Sequence, residues 1–340
     1  MKTSTIITAL LITVLPVTAC GSHKATLKEN ASIVSYNQDD KSEGPNIIRD
    51  LKLTNFSAIQ NRYSAQIQYT QGSHYKVTFE GSQKAYDIFK FTVEDGTLKI
   101  DVKDQYKNKS INLENDIILH VTSPNLVSLV NSGVLTFNAS NWKADNLNIK
   151  NSGSCKLHAQ ITKGQDINLK NSGVITVNAT INNSRSVNIS NGGSFKFTEG
   201  SIMAEDVSIR NSGVSSVDVP LQIRNTFQLS NSGSSKLNGT VKATSYKETC
   251  SGATHNNVAI EANDLALAIS GSGHIYGSFK GKNAEIKGSG VSKIDMTVDC
   301  EKLYIDSNGS SKITVKGTAD HTEFENNGVT KVDASELNKF

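Results

Sequence analysis

Between residues 126 and 335, short runs of alternating apolar and polar residues restart at a nearly fixed interval, each run centred on a glycine. Asn-Ser-Gly recurs at Asn131-Ser132-Gly133, Asn151-Ser152-Gly153, Asn171-Ser172-Gly173, Asn211-Ser212-Gly213 and Asn231-Ser232-Gly233, and Asn191-Gly192-Gly193 fills the gap. The glycines continue as Gly252, Gly273, Gly290, Gly309 and Gly328; the step is 20 residues across the first six and 17 to 21 thereafter. Four residues before the glycine stand Leu129, Ile149, Leu169, Ile189, Ile209 and Leu229, then Ile269. Six before it stand Val127, Leu147, Ile167, Val187, Val207 and Phe227, then Leu267. Four after it stand Phe137, Leu157, Val177, Phe197, Val217 and Leu237. Polar residues separate these columns, which is the period-2 signature of a half-buried strand.

Each repeat therefore reads as strand, corner, strand and a variable return. A unit of that size cannot bury its own apolar face, so coils must stack and pair strand on strand at ~4.8 Å. The expected fold is all-β: a right-handed parallel β-helix, a single-stranded solenoid with about 20 residues per coil, behind a β-rich N-terminal cap. A β-propeller would need ~40 residues per blade. At the corner, Asn and Gly both tolerate left-handed backbone, and stacked Asn side chains can form amide ladders.

Residues 47–125 alternate in the same strand-like way but without the period, and Asp95-Gly96 between two alternating runs predicts a tight hairpin. Phe56-Ser57-Ala58-Ile59, Tyr75-Lys76-Val77, Asp95-Gly96-Thr97-Leu98-Lys99-Ile100 and Ser123-Pro124-Asn125-Leu126 then lead into serial Ser-Gly repeats. That order resembles the putative auto-transporter adhesin head (GIN) domain of Gram-negative lipoproteins, over roughly residues 47–335. The resemblance implies a right-handed β-helix with an adhesion role, and it supplies no catalytic residues. Residues 47–125 are expected to cap the first coil and to form one continuous domain with the repeats of 126–335.

Ahead of this domain, Lys2 precedes an apolar run from Ile6 to Val17, too short to span a bilayer as a helix. Residues 1–19 read as a secretory signal peptide. Its end, Val17-Thr18-Ala19-Cys20, resembles the lipobox of bacterial lipoproteins, which implies acylation at Cys20 and a membrane-lipid anchor. Residues 20–46 hold that cysteine and a polar tether without apolar period. The expected location is the Gram-negative cell envelope, with outer membrane or cell surface favoured over inner membrane. A net charge of +3 on 340 residues gives nucleic-acid binding no global electrostatic support.

Two irregularities mark where chemistry should be sought. Three residues after the glycine, lysines alternate with Thr or Ser and then follow one another as Lys293, Lys312 and Lys331, with His255 and Tyr276 earlier in the column. This stripe is a candidate for binding an anionic glycan or another surface partner. The coil of Gly252 places Glu248 in an apolar column and Cys250 at the corner Asn, with His255 nearby. A carboxylate in a core column is costly, so an outward bulge or an insertion is expected there. Cys155 falls in an inward column, several coils from Cys250, which argues against a disulfide between them. No cofactor or metal is implied. The reading that results is a non-enzymatic adhesion or binding module; the competing one is a carbohydrate-active enzyme, a polysaccharide lyase or hydrolase on the same scaffold.

Overall fold

The computed structural model describes residues 44–338 except 112, 114, 115, 163 and 328. They form a β-solenoid of about 10 turns with roughly 20 residues per coil. Alternation dictates which face turns inward: Asp166–Asn171 and Ser154–Thr162 bury every second residue. The repeat is then held in strict register. Leu147 lies over Ile167, Val187, Val207 and Phe227 in turn, and Ile149 over Leu169, Ile189, Ile209 and Leu229. Each of these side chains is buried, and burying one contributes roughly 1.5–3 kcal/mol.

The corners are tied by a ladder of buried amides. Asn61 Nδ2 donates to Asn131 Oδ1 at 2.9 Å, and the same bond repeats from Asn131 to Asn151, Asn171, Asn191, Asn211 and Asn231 at 2.7–2.8 Å. The same amide nitrogen also reaches the carbonyl two residues on, as Asn171 does to Gly173 at 3.0 Å.

The corner glycine owes its place to proximity and not to a left-handed backbone, as the sequence had suggested. None of the repeated corner residues Asn131–Gly133 to Asn231–Gly233 has positive φ. Instead a Cβ at Gly173 would lie 2.1 Å from Gly153 O, and one at Gly153 would lie 2.0 Å from Gly133 O. The coils approach so closely at this edge that only hydrogen fits between them.

The solenoid begins earlier than its period suggests. Ala58–Asn61 pairs in parallel with residues 128–131, and Ala65–Gln71 with residues 135–139, so residues 58–71 are already a coil and Asn61 already a corner. The cap comes next along the chain. Lys76–Ser82 runs antiparallel between Asn46–Asp50 and Ile117–Ser123, and Phe89–Glu94 runs antiparallel to Thr97–Val102 through the predicted Asp95-Gly96 turn, both residues at positive φ. Ser82 caps the short helix Gln83–Ile88 by accepting from Ala85 N, and Ala85 and Ile88 point into the core.

Beyond Gly233 the register corrects the alignment. Gly271, not Gly273, stacks on Gly252, since a Cβ there would meet Gly252 O at 2.0 Å. The columns therefore run Phe227, Tyr246, Leu265, Ala284, Leu303 and Leu229, Glu248, Leu267, Ile286, Ile305. Two glycines separated by one residue had made the count slip by two.

Gly173→Ala should lower stability by roughly 1–3 kcal/mol in urea or thermal unfolding, because a backbone carbonyl must move aside. Gly192→Ala should stay within about 0.5 kcal/mol of the parent, since its Cβ would have no neighbour nearer than 3.7 Å.

Candidate binding surface

The irregular coil around Gly252 is the place where the interior changes character. Residues 245–250 remain in continuous parallel register between residues 226–231 and 264–269, so the expected bulge at Glu248 is absent; the register shifts just ahead of it, where residues 242–245 face residues 222–226 and this coil is one residue shorter. Glu248 points inward and is 1% exposed. Its carboxylate is satisfied by its own neighbours: Tyr246 Oη donates to Oε2 at 2.7 Å and Asn256 Nδ2 to Oε1 at 2.7 Å. Asn256 Oδ1 accepts from Leu237 N at 2.9 Å and from Thr254 Oγ1 at 3.2 Å, and Thr254 meets Ser235 at 3.0 Å.

The polar cluster thus occupies five inward positions on neighbouring strands and is closed to solvent. Burial pushes the Glu248 carboxyl up to about 7, against the pull of the Tyr246 and Asn256 hydrogen bonds. Cys250 takes the corner and ends the amide ladder, with Asn231 Nδ2 3.2 Å from its Sγ. Its thiol is raised chiefly by burial. His255 lies outside, exposed, 6.1 Å in ring centroid from His274 on the next coil. The structure therefore does not bring Glu248, Cys250 and His255 together as one site.

The three cysteines among the described residues, Cys155, Cys250 and Cys300, are free and buried. Burial pushes the Cys155 thiol up to about 12 and the Cys300 thiol to about 11, which makes both poor nucleophiles. Cys20 lies outside the described residues.

On the outer face the lysine stripe is in register. Lys236 is followed by His255, His274, Lys293, Lys312 and Lys331 on successive coils; His274 holds the position that the slipped count gave to Tyr276. The stripe is compensated at Lys293 and has an acidic neighbour at Asp333. Lys293 Nζ is 3.1 Å from Asp295 and sits 5.2 Å over the Tyr276 ring. Asp333 lies beside Lys331 and Lys312, and its carboxyl is held below the usual range by Ser335 first and by those two lysines after.

A second basic column went unread in the sequence, three residues before the glycine: Lys150, Lys170, Ser190, Arg210 and Ser230 in register. It edges a groove of about 460 Å³ that follows the corner from Lys170 to Ser251. The same alignment held this signal, but two serines interrupt the cations and hide the pattern.

The family model described as putative auto-transporter adhesin, head GIN domain, matches residues 55–234 and 275–339. A putative adhesin of Bacteroides fragilis, known from its crystal structure, is 16% identical over 85% of this chain and 97% of that chain, with a TM-score of 0.33. A putative adhesin of Parabacteroides distasonis is 14% identical over 82% and 98%, with a TM-score of 0.37. A putative lipid binding protein of the same organism is 15% identical over 86% and 97%, with a TM-score of 0.31. Likenesses this distant carry no argument about a ligand. No curated protein matches the chain.

The buried carboxyl gives a pH signature. A group whose pKa rises on folding contributes stability below its unfolded value and loses it as pH climbs through its folded value. Wild-type stability should therefore fall between about pH 4.5 and 7, by on the order of 3 kcal/mol for this one group. Glu248→Gln, whose amide oxygen can accept from Asn256 while its NH2 donates to Tyr246 Oη, should remove that slope and unfold at higher urea than wild type at pH 8. Equal slopes in the two proteins would refute the assignment.

The stretch left unmatched, residues 235–274, contains Glu248, Cys250, Thr254 and Asn256, so the polar coil is where this chain departs from the pattern. With the matched segments covering the rest of the solenoid from its first coil to its last, the chain belongs to the putative auto-transporter adhesin, head GIN domain, family.

Proposed function

We propose that the protein is a non-enzymatic adhesion or binding module, held to the bacterial cell envelope through an acylated Cys20 and presenting the flank of its solenoid to a partner. The observation that carries this reading is the outer surface itself. Parallel in-register stacking repeats each exposed side chain at ~4.8 Å, so that an outward column, as at Lys150 and Lys170, offers the same chemistry to successive units of an extended ligand.

The family to which the chain belongs supports the reading, as does the lipobox-like Val17-Thr18-Ala19-Cys20. A hydrolase or lyase would need carboxylates free to exchange protons across a cleft. The trough that gathers Asp264, Glu285 and Glu323 has Glu285 2.6 Å from Lys287 and Asp264 accepting from Asn283 at 2.7 Å, an arrangement better suited to holding a ligand than to acid–base work.

Two measurements test this. Cys20→Ala should move the protein from the membrane fraction to the soluble fraction and abolish incorporation of a labelled fatty acid; retention in the membrane would remove the anchor from the proposal. The mature chain, applied to arrays of glycans and matrix proteins, should bind at least one class above background. Hydrolysis or cleavage of a retained glycan, lost on replacing Glu285 or Glu323, would overturn the non-enzymatic reading.

A further inference from the structure

The groove along the corner has a gap at its centre. In the coils of Asn171 and Asn211 the corner carries a serine, Ser172 or Ser212, and the position two before it a long cation, Lys170 or Arg210. The coil between them has both positions cut back, to Gly192 and Ser190. Neither the backbone nor the packing requires this glycine. Gly192 does not adopt positive φ, and a Cβ on it would make only ordinary contacts, 3.7 Å from Ser212 Oγ and 3.8 Å from Asn171 O. The contrast with its neighbours Gly173 and Gly193, where a Cβ would fall 2.1 Å from a carbonyl oxygen, is sharp. The result is a notch floored by a hydroxyl and bare backbone, with Lys170 one coil to one side and Arg210 one coil to the other, about 10 Å apart along the stack.

The cations at its walls are uncommitted. Lys150, Lys170 and Arg210 are exposed, and among the described residues none of them forms an ion pair, as Lys312 and Lys331 do not, whereas Lys293, Lys242, Lys280, Lys287 and Lys316 each do. Nor is their column compensated from the side. The flanking outward positions hold Asn148, Asn168, Asn188 and Ser208 on one side and the corner serines on the other. Unpaired cations one coil apart, as Lys150 and Lys170 are, repel one another and gain from an anion placed between or beside them.

We propose that this notch is an anion-holding point and that the groove binds an acidic polysaccharide laid along the solenoid axis, a carboxylate or sulfate group seated between Lys170 and Arg210. Hydroxyls of Ser172, Ser190, Ser212 and Ser232 line the path; those of Ser172, Ser212 and Ser232 donate to the carbonyls of Asn151, Asn191 and Asn211 at 3.4 Å, which leaves their lone pairs to accept from the hydroxyls of a sugar chain. The lining contains no aromatic side chain to stack a nucleobase and no apolar anchor for a protein or membrane partner. The inference rests on the binding-module reading and names its ligand class and its site, moving that site from the lysine stripe, which Asp295 and Asp333 flank, to the corner groove, which no carboxylate flanks in the neighbouring column.

The test uses the full mature chain and three polymers: polygalacturonate, dextran sulfate and uncharged dextran. Wild type should bind the two acidic polymers and not dextran, with affinity that weakens as salt rises. Lys170→Ser and Arg210→Ser, which place in this column the residue it already carries at 190 and 230, should each weaken binding roughly tenfold, as loss of one charge-assisted hydrogen bond does. Gly192→Ser restores the corner serine without changing charge; it should fold as wild type and still weaken binding by filling the notch. The triple change Lys293→Ser, Lys312→Ser, Lys331→Ser should leave binding within a factor of two or so. Wild-type affinity in the Lys170, Arg210 and Gly192 variants, or loss confined to the triple variant, would overturn the proposal. So would a wild-type chain that ignores both acidic polymers; if that chain still bound another class on the arrays, the binding-module reading would stand without this groove.

Discussion

The close approach of successive coils at one edge governs the rest of the structure. There the corner glycine of each coil rests against the carbonyl of the coil before, and the buried Asn beside it passes a hydrogen bond to the next. The amide ladder fixes axial register to the residue, because a slip by one would turn the Asn outward and the apolar columns with it. Every other regularity derives from this edge: inward columns of Leu, Ile, Val and Phe, outward columns repeated at the strand spacing, and a long parallel sheet whose faces need little sequence beyond the repeat. A steric exclusion and a polar bond, acting at the same edge, together do what neither would do alone. The glycine permits the approach and the amide holds it in place.

The polar coil shows how the pattern can be varied without being broken. Glu248 takes a position that Leu229 and Leu267 hold on either side, yet the strands stay in register, because Tyr246, Asn256 and Thr254 supply partners from neighbouring inward positions. A half-satisfied cluster would have forced the chain outward; a complete one fits within the same cross-section. The consequence is a local dependence on protonation, since a carboxylate held among hydroxyls and an amide remains poorly solvated.

Much of this was legible in the sequence. Period, strand positions, the amide ladder, the Asp95-Gly96 hairpin and the buried Cys155 all come from residue spacing, because a solenoid writes its neighbour relations into sequence at a fixed offset. Three things were not legible. The first coil was hidden because its corner is Asn61-Arg62-Tyr63, with no glycine to betray it. The reason for the corner glycines lay in an approach between coils, which local backbone preference does not reveal. The slip at Gly271 and Gly273 came from two equally plausible anchors in one coil, and only pairing could choose between them. For the surface, a run of adjacent lysines drew the eye to Lys293, Lys312 and Lys331, while the uncompensated column of Lys150, Lys170 and Arg210 is punctuated by serines. Charge that matters for binding depends on what lies beside it, and the side-by-side arrangement exists only after stacking.

The stack itself can be tested directly by cross-linking along the corner serines, with Cys155, Cys250 and Cys300 buried in the core. Ser212 and Ser232 occupy the same position on adjacent coils, where Cα atoms ~4.8 Å apart fall within disulfide range. Ser172 and Ser212 are two coils apart, about 10 Å, outside that range. Under mild oxidation, Ser212→Cys with Ser232→Cys should close an intramolecular disulfide rapidly and almost completely, and Ser172→Cys with Ser212→Cys should not. Equal cross-linking of the two pairs, or efficient bonding of the distant one alone, would contradict in-register stacking at the corner, and with it both the fold and the binding surface built on that stack.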